Sequence, residues 1–315
     1  MKPIVSIITP TYNHENYIRQ CIESVISQKF QNWEQIIIDD NSQDKTYEIA
    51  VEYSKKDKRI NVVKHNKNWG INKLADIYNQ ALKISKGKYI AILEGDDYWP
   101  KEKLEKQIRS FSNKKVVFSF GDCVMTNVKR LPIKLFSYNY NKKLLNNNPT
   151  GVTLTLFAKL NFSIIPCTVI IKKDTLVSIG GFVKDKYYPF VDLPTFLHLS
   201  LKGNFSYQNN ICGFYRKQQD SSWFNFAKNT SAMGKEEVQK CVSNFLKKYE
   251  GFNTIGKILK DKEIFFEQNN FIYKKKFTKN LSLFLNYLAF HSFFNPLVII
   301  FVFQYILYRI KKRFI

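Results

Sequence analysis

A chain of 315 residues with 44% apolar and 24% charged side chains, 12 Gly and 9 Pro can bury a substantial core, which excludes disordered, collagen-like and low-complexity readings. The formal net charge of +23 is unevenly spread: residues 1–97 hold 14 basic and 13 acidic side chains, residues 98–190 hold 16 and 5, and residues 234–315 hold 15 and 6. An excess of this size calls for a polyanionic partner, either nucleic acid or an anionic membrane surface, while the near-neutral first third keeps its carboxylates for another purpose.

The five cysteines (Cys21, Cys123, Cys167, Cys212 and Cys241) are widely spaced with no CxxC pair, so neither a disulfide framework nor a thiolate zinc site is expected, and the compartment reads as reducing. The start, Met1-Lys2 followed directly by Ile4 to Pro10, is too short and too soon interrupted for a signal-peptide core, which predicts that the chain stays in the cytoplasm.

In chain order, Val5 to Thr9 is a β-branched run ended by Pro10, and Tyr17 to Gln28 places Ile18, Ile22, Val25 and Ile26 on one helical face. Gln35 to Ile38 reads as a second strand, Asp39-Asp40-Asn41-Ser42 as a polar turn, and Thr46 to Tyr53 as a helix. Ile60 to Val63 is a third strand; Leu74, Ile77 and Leu82 mark a helix closed by Gly87, and Tyr89 to Leu93 is a fully apolar fourth strand. This alternation predicts an α/β fold built on a parallel sheet, with ligands beyond the C-terminal strand ends. Further on, Val116 to Phe120 and Thr168 to Ile171 read as strands, and the Lys/Asn-rich stretch 127–149 as a mobile surface loop. Gly180-Gly181-Phe182 is a turn, and Asp192 precedes Pro194 and an apolar helical run ended by Gly203.

Residues 235–250 and 257–267 read as Lys-rich amphipathic helices, and no formally charged residue occurs from Leu281 to Tyr308. That span is long enough to cross a bilayer, but Pro296 interrupts it and basic clusters flank both ends, which predicts a segment that dips into or lies along the inner leaflet as a monotopic anchor, with a true span as the alternative. The predicted organisation is a catalytic domain over 1–225, a helical linker region over 226–275, and apolar, basic membrane-associated helices over 276–315.

Glu94-Gly95-Asp96-Asp97 sets three carboxylates within four residues directly after a buried strand, where they repel one another; Mg²⁺ or Mn²⁺ is the natural counter-charge and would bridge to a nucleotide diphosphate. Asp39-Asp40 can accept hydrogen bonds from a base imide or ribose hydroxyl, or else cap the next helix. Tyr12 can stack on a base or pack in the core. Asp192, in the aromatic setting of Tyr187-Tyr188-Pro189-Phe190, has the surroundings of a base with a raised pKa, and is equally placed to cap a helix. Arg216, with Lys217, Ser221 and Ser222, follows a strand-like run and is a candidate diphosphate contact, or else part of a solvated surface turn.

Val5 to Asn13, Ile38 to Ser42, Asn68-Trp69-Gly70 and Gly87 to Asp97, in this order and spacing, resemble family 2 glycosyltransferases of the GT-A fold. The resemblance covers the first 110 residues well and 165–220 more loosely. It implies a Rossmann-like, mostly parallel sheet with flanking helices, to which the C-terminal reading adds a helical membrane-associated tail. It also implies that Pro10 and Tyr12 line the base pocket, that Asp39 bonds the base, and that Asp96 and Asp97, with Glu94 in front, hold ribose and metal. Asp192 would deprotonate the acceptor hydroxyl, and Arg216 and Gln218 would stand near the diphosphate. This chain carries Val191 before that Asp where the family has Glu, Glu94 where it has Asp, Gln218 where many members have His, and Tyr78-Asn79 for Arg-Asn.

The resulting expectation is a metal-dependent inverting transferase that moves a sugar from a nucleotide diphosphate donor, commonly a UDP-sugar, to a lipid-linked or growing glycan at the inner membrane surface in polysaccharide or lipopolysaccharide biosynthesis. The competing reading, prompted by Val191 and Gln218, is an inactive GT-A-fold protein binding anionic lipid or nucleic acid. The acid-rich N-terminal edge argues against a nucleic-acid partner.

Overall fold

The computed structural model describes residues 2–158, 162–218 and 235–249. The first half runs β1 (Val5–Thr11), α1 (Ile18–Ile26), β2 (Trp33–Asp39), α2 (Thr46–Lys56), β3 (Ile60–Lys64), α3 (Leu74–Ile84), β4 (Tyr89–Ile92) and α4 (Lys103–Ile108). The second half runs β5 (Val116–Thr126), β6 (Pro132–Phe136), α5 (Lys142–Leu145), α6 (Leu154–Ala158), β7 (Ile170–Lys172), α7 (Lys173–Ser178), α8 (Asp192–Ser200), β8 (Asn204–Arg216) and α9 (Lys235–Lys248).

The strands form one sheet in the order β3-β2-β1-β4-β7-β5-β6, with β8 on β5. β1, β2 and β4 are buried on both faces because helices cover both sides, whereas β3, at the sheet's edge, exposes Asn61 and Lys64. Val5, Ile7, Ala91 and Leu93 pack with Ile18, Ile22 and Val25 of α1, while Ile8, Ile36, Ile90 and Ile92 pack with Ile77, Ala81 and Leu82 of α3. β1 does not stop at Pro10 but continues to Thr11, with Pro10 opposite Ile38 in the parallel ladder.

The expectation of a parallel sheet holds for β3-β2-β1-β4 and needs correcting beyond it. β7 pairs antiparallel with both β4 and β5, β6 pairs antiparallel with β5, and β8 runs parallel to β5. Since β4 and β5 both oppose β7, they point the same way, and the ends of β1, β2, β4, β5 and β8 reach one edge. Apolar periodicity reports which faces are buried and is silent on strand direction. Within 127–149, expected as a loop, β6 forms an edge strand, and Asn147 is fully buried, its side-chain amide donating to the Ser200 and Gly203 carbonyls at 2.6 and 2.8 Å. Adjacent exposed Ile133 and Lys134, with half-buried neighbours on either side, suit a strand at a sheet margin.

The fold class is also corrected at its C-terminal end, where a helical membrane-associated tail was expected. Among the described residues no helix is long and apolar enough to cross a membrane. The apolar face of α9 is spent on the domain's own core: Cys241, Val242, Phe245 and Leu246 are buried there, and Phe245 meets the His198 ring of α8 edge-on at 4.9 Å. The expected helix over 257–267 and the segment 276–315 lie outside the described residues.

Candidate active site

The turn after β2 separates two neighbouring aspartates by function. Asp40 is saturated: its Oδ1 accepts from His65 Nδ1 at 2.7 Å and from the Trp69 N–H at 2.9 Å, and its Oδ2 from the Gly70 N–H at 2.9 Å. Asp40 therefore ties down the 68–70 loop, where His65 stacks on Trp69 with ring centroids 4.0 Å apart. Asp39 accepts the Ser42 N–H on Oδ2 at 3.0 Å, whereas its Oδ1 is buried with no partner. Burial pushes this carboxyl above the usual range, against the pull of Ser42. A buried acceptor without a donor is what a ligand N–H or O–H would complete. Pro10 is buried in β1 beside it, and Tyr12 stands 41% exposed just beyond the strand end.

The acidic loop leaves β4 in a tight turn, with the Gly95 N–H donating to the Pro10 carbonyl at 3.1 Å and the Asp97 N–H to the Glu94 carbonyl at 3.0 Å. A Cβ on Gly95 would lie 2.3 Å from Thr11 Oγ1 and 2.9 Å from His14 Nδ1, so only glycine lets the loop lie against the end of β1. Gly95→Ala is expected to destabilise the fold by about 1–3 kcal/mol and to weaken nucleotide binding, read by thermal melting and calorimetric titration of the same sample.

The three carboxylates of this loop point to different partners. Glu94 accepts from the Tyr78 hydroxyl at 2.5 Å, and burial, reinforced by the charges of Asp96 and Asp192, pushes it up to about 7. Asp96, partly exposed, accepts from Gln218 Nε2 at 2.7 Å. Asp97 is buried and accepts the Arg216 N–H at 2.8 Å; burial, then the neighbouring thiol and acids, hold its carboxyl well above the usual range. Among the described residues no group of three or more His, Cys, Asp and Glu side chains is disposed to hold a metal ion by itself.

Arg216, at the end of β8, is 2% exposed and spends its guanidinium on protein acceptors. Nε donates to the Asp96 carbonyl at 2.8 Å, Nη2 to Gln20 Oε1 at 2.6 Å and Nη1 to the Val128 carbonyl at 3.3 Å, over the rings of Tyr17 and Tyr98. It thus joins α1, the acidic loop, the β5–β6 turn and β8. Gln20 carries no signal of this role in the sequence.

Asp192 opens α8, and the fold returns it to the acidic loop, within electrostatic reach of Tyr78 and Glu94. Burial raises its carboxyl to about 6, against hydrogen bonds from its own N–H, that of Leu193 and the Tyr188 hydroxyl, and its Oδ1 is buried without a partner. The turn before it is pinned by Asn79: Nδ2 donates to the Phe182 carbonyl at 2.9 Å and Oδ1 accepts the Phe182 N–H at 2.8 Å. The Tyr78-Asn79 pair therefore links the two acidic segments, a role visible only when residues 103 positions apart are seen in contact. Val191 is a core residue, packed with Phe196 and Leu199.

A half-buried acid with a buried, unpartnered oxygen thus stands near an acidic loop at the carboxyl edge of a Rossmann-like sheet. The family model described as glycosyl transferase family 2 matches residues 6–169. The chain belongs to that family. This glycosyltransferase is 35% identical over 212 residues to the putative teichuronic acid biosynthesis glycosyltransferase TuaG of Bacillus subtilis, a match covering 67% of this chain and 77% of that one. It is 33% identical over 221 residues to WfaP of Escherichia coli, a UDP-Glc:alpha-D-GlcNAc-diphosphoundecaprenol beta-1,3-glucosyltransferase, covering 67% and 76%. Among solved structures, S. aureus TarS 1-349 in complex with UDP-GlcNAc superposes with a TM-score of 0.55 at 20% identity, covering 80% of this chain and 73% of that one. The mannosyltransferase PcManGT of Pyrobaculum calidifontis, in complex with GDP-Man and Mn²⁺, gives 0.52 at 14%, covering 84% and 80%. These two likenesses establish the shared fold.

Proposed function

We propose that this glycosyltransferase moves a sugar from a nucleotide diphosphate donor, a UDP-sugar in the first instance, to a hydroxyl of a lipid-linked or growing glycan in bacterial surface-polysaccharide biosynthesis, with inversion at the anomeric carbon. The observation that carries the reading is the approach of Asp192 to the acidic loop, with a buried, unpartnered oxygen and a pKa near the working range of a general base. The curated relatives support the reaction class, and the undecaprenol-linked acceptor in the name of the E. coli relative supports a lipid-linked one. Such an acceptor brings the enzyme to the cytoplasmic face of the membrane.

In this reading Asp39 Oδ1 receives the base N–H, and Pro10 and Tyr12 bound the base on one side. Mg²⁺ or Mn²⁺ fits the donor set if the donor's own phosphates complete it, since such ions take one or two carboxylates with phosphate and water. Partly exposed Asp96 would hold it, with Asp97 and Glu94 behind, and it would supply positive charge at the leaving diphosphate. Gln218 orients Asp96 through its amide, and buried Arg216 fixes the loop's backbone without reaching the diphosphate itself. Asp192 takes the acceptor proton as that oxygen attacks the anomeric carbon. A single displacement of this kind inverts the centre.

Calorimetric titration with UDP, GDP and dTDP, each with Mn²⁺ and again with excess EDTA, tests the donor half. One nucleotide is expected to bind with metal and to lose affinity without it, and Asp96→Asn to weaken the metal-dependent binding by about tenfold or more. Absence of binding by all three nucleotides, with or without metal, would sink the reading.

A further inference from the structure

The end of the β5–β6 hairpin is built for a purpose that sugar transfer leaves unused. Val128 is 50% exposed and Ile133 46% exposed, two of five exposed large apolar side chains among the described residues. Between and beside them stand Lys129, Arg130 and Lys134, all exposed. No acidic residue occurs between Asp122 and Asp174, a stretch holding eight Lys and Arg. The hairpin end is firmly shaped: the Asn127 N–H donates to the Leu131 carbonyl, the Arg130 N–H to the Asn127 carbonyl, and the Leu131 N–H to Asn127 Oδ1, each at 2.9 Å. It is also tied to the active site by one side chain, since Arg216 donates both to the Val128 carbonyl and to the Asp96 carbonyl.

We propose that residues 128–134 rest on an anionic lipid bilayer and hold the catalytic edge of the sheet at the membrane surface. β-branched apolar side chains presented together with cations match the boundary between acyl chains and negatively charged headgroups. A partner bound by charge alone has no use for exposed Val128 and Ile133. The inference builds on the lipid-linked acceptor proposed above: with the hairpin on the bilayer, the acidic loop that Arg216 ties to it is held close to the layer in which the acceptor's sugar emerges.

The test uses the full chain with Ile133→Cys carrying an environment-sensitive fluorophore, which labels selectively because the five native cysteines are buried. Mixed phosphatidylglycerol and phosphatidylcholine vesicles are expected to shift the emission to the blue and brominated acyl chains to quench it, while pure phosphatidylcholine vesicles leave it unchanged. In the same background, Lys129→Glu with Arg130→Glu and Lys134→Glu is expected to weaken the vesicle titration by about a hundredfold, taking about one kcal/mol per cation. A label unmoved while the protein sediments with anionic vesicles would overturn the proposal. So would a shift produced by raising protein concentration without vesicles, which would assign the surface to a second copy of the chain. The label reports on contact whether or not sugar is transferred, and the nucleotide titration needs no vesicles, so failure of either reading is seen separately.

Discussion

Asp192→Asn is expected to lower sugar transfer by about 10²- to 10⁴-fold while leaving nucleotide affinity close to wild type. The loss follows from removing a carboxylate that combines a buried, unpartnered oxygen with proximity to the acidic loop. The wild-type rate should fall as pH drops through about 6, because the ionised form is the base. The same substitution should raise stability at neutral pH. A carboxyl held at about 6 in the folded chain, against about 3.9 unfolded, makes the folded state bind more protons in between. The folded state is then penalised as pH rises from about 4 through 6, and the full penalty applies above that. Asn carries no charge to bury, so the variant should gain about 1–3 kcal/mol at pH 7.5 and nothing near pH 3.5. Melting curves at the two pH values, beside transfer assays, read both effects. A variant that loses nucleotide binding as well as transfer would remove Asp192 from the role of base.

Arg216→Ala should be the most destabilising single change in the site, at about 3–5 kcal/mol, from three acceptors left unsatisfied and the cavity that remains. It deletes hydrogen bonds to the Asp96 and Val128 carbonyls and to Gln20 Oε1, leaving these acceptors without their donor and a void beneath the Tyr17 and Tyr98 rings. For a domain of this size that is a fall on the order of 10 °C in the melting midpoint. Arg216→Lys should recover little, because an ammonium cannot donate in three fixed directions at once. Lys217→Ala, one residue on and exposed, should stay within about 0.5 kcal/mol of wild type. If Arg216→Ala melts with the wild type, the guanidinium is not the strut described above, and a role at the diphosphate returns to consideration.

The motifs at the ends of β1, β2 and β4 were readable because polar residues directly after apolar, β-branched runs must lie at a strand end, where backbone and side chains meet solvent or ligand. The division of labour within those motifs was not readable. Asp39 and Asp40 are adjacent and chemically identical, yet one is saturated by the 65–70 segment and the other keeps an oxygen without a partner. Which neighbour supplies hydrogen bonds depends on residues 25 to 30 positions away. Arg216 in sequence is a cation after a strand, a natural phosphate contact; burial under Tyr17 and Tyr98 turns it inward instead.

The amphipathic pattern of 235–250 likewise specified a helix, observed over Lys235–Lys248, with one apolar face and left open what covers it; the domain's core at α8 answers that. By itself the sequence determined the βα alternation through β4 and the family, since periodicity, turn residues and motif spacing act over a few positions, but it read β6 as loop. Only the tertiary structure decided strand direction beyond β4, the pairing of Tyr78 with Glu94, the return of Asp192 to the acidic loop, and which carboxylates are free. Those properties arise from desolvation and contact between distant segments, and such interactions have no signature in the order of residues along the chain.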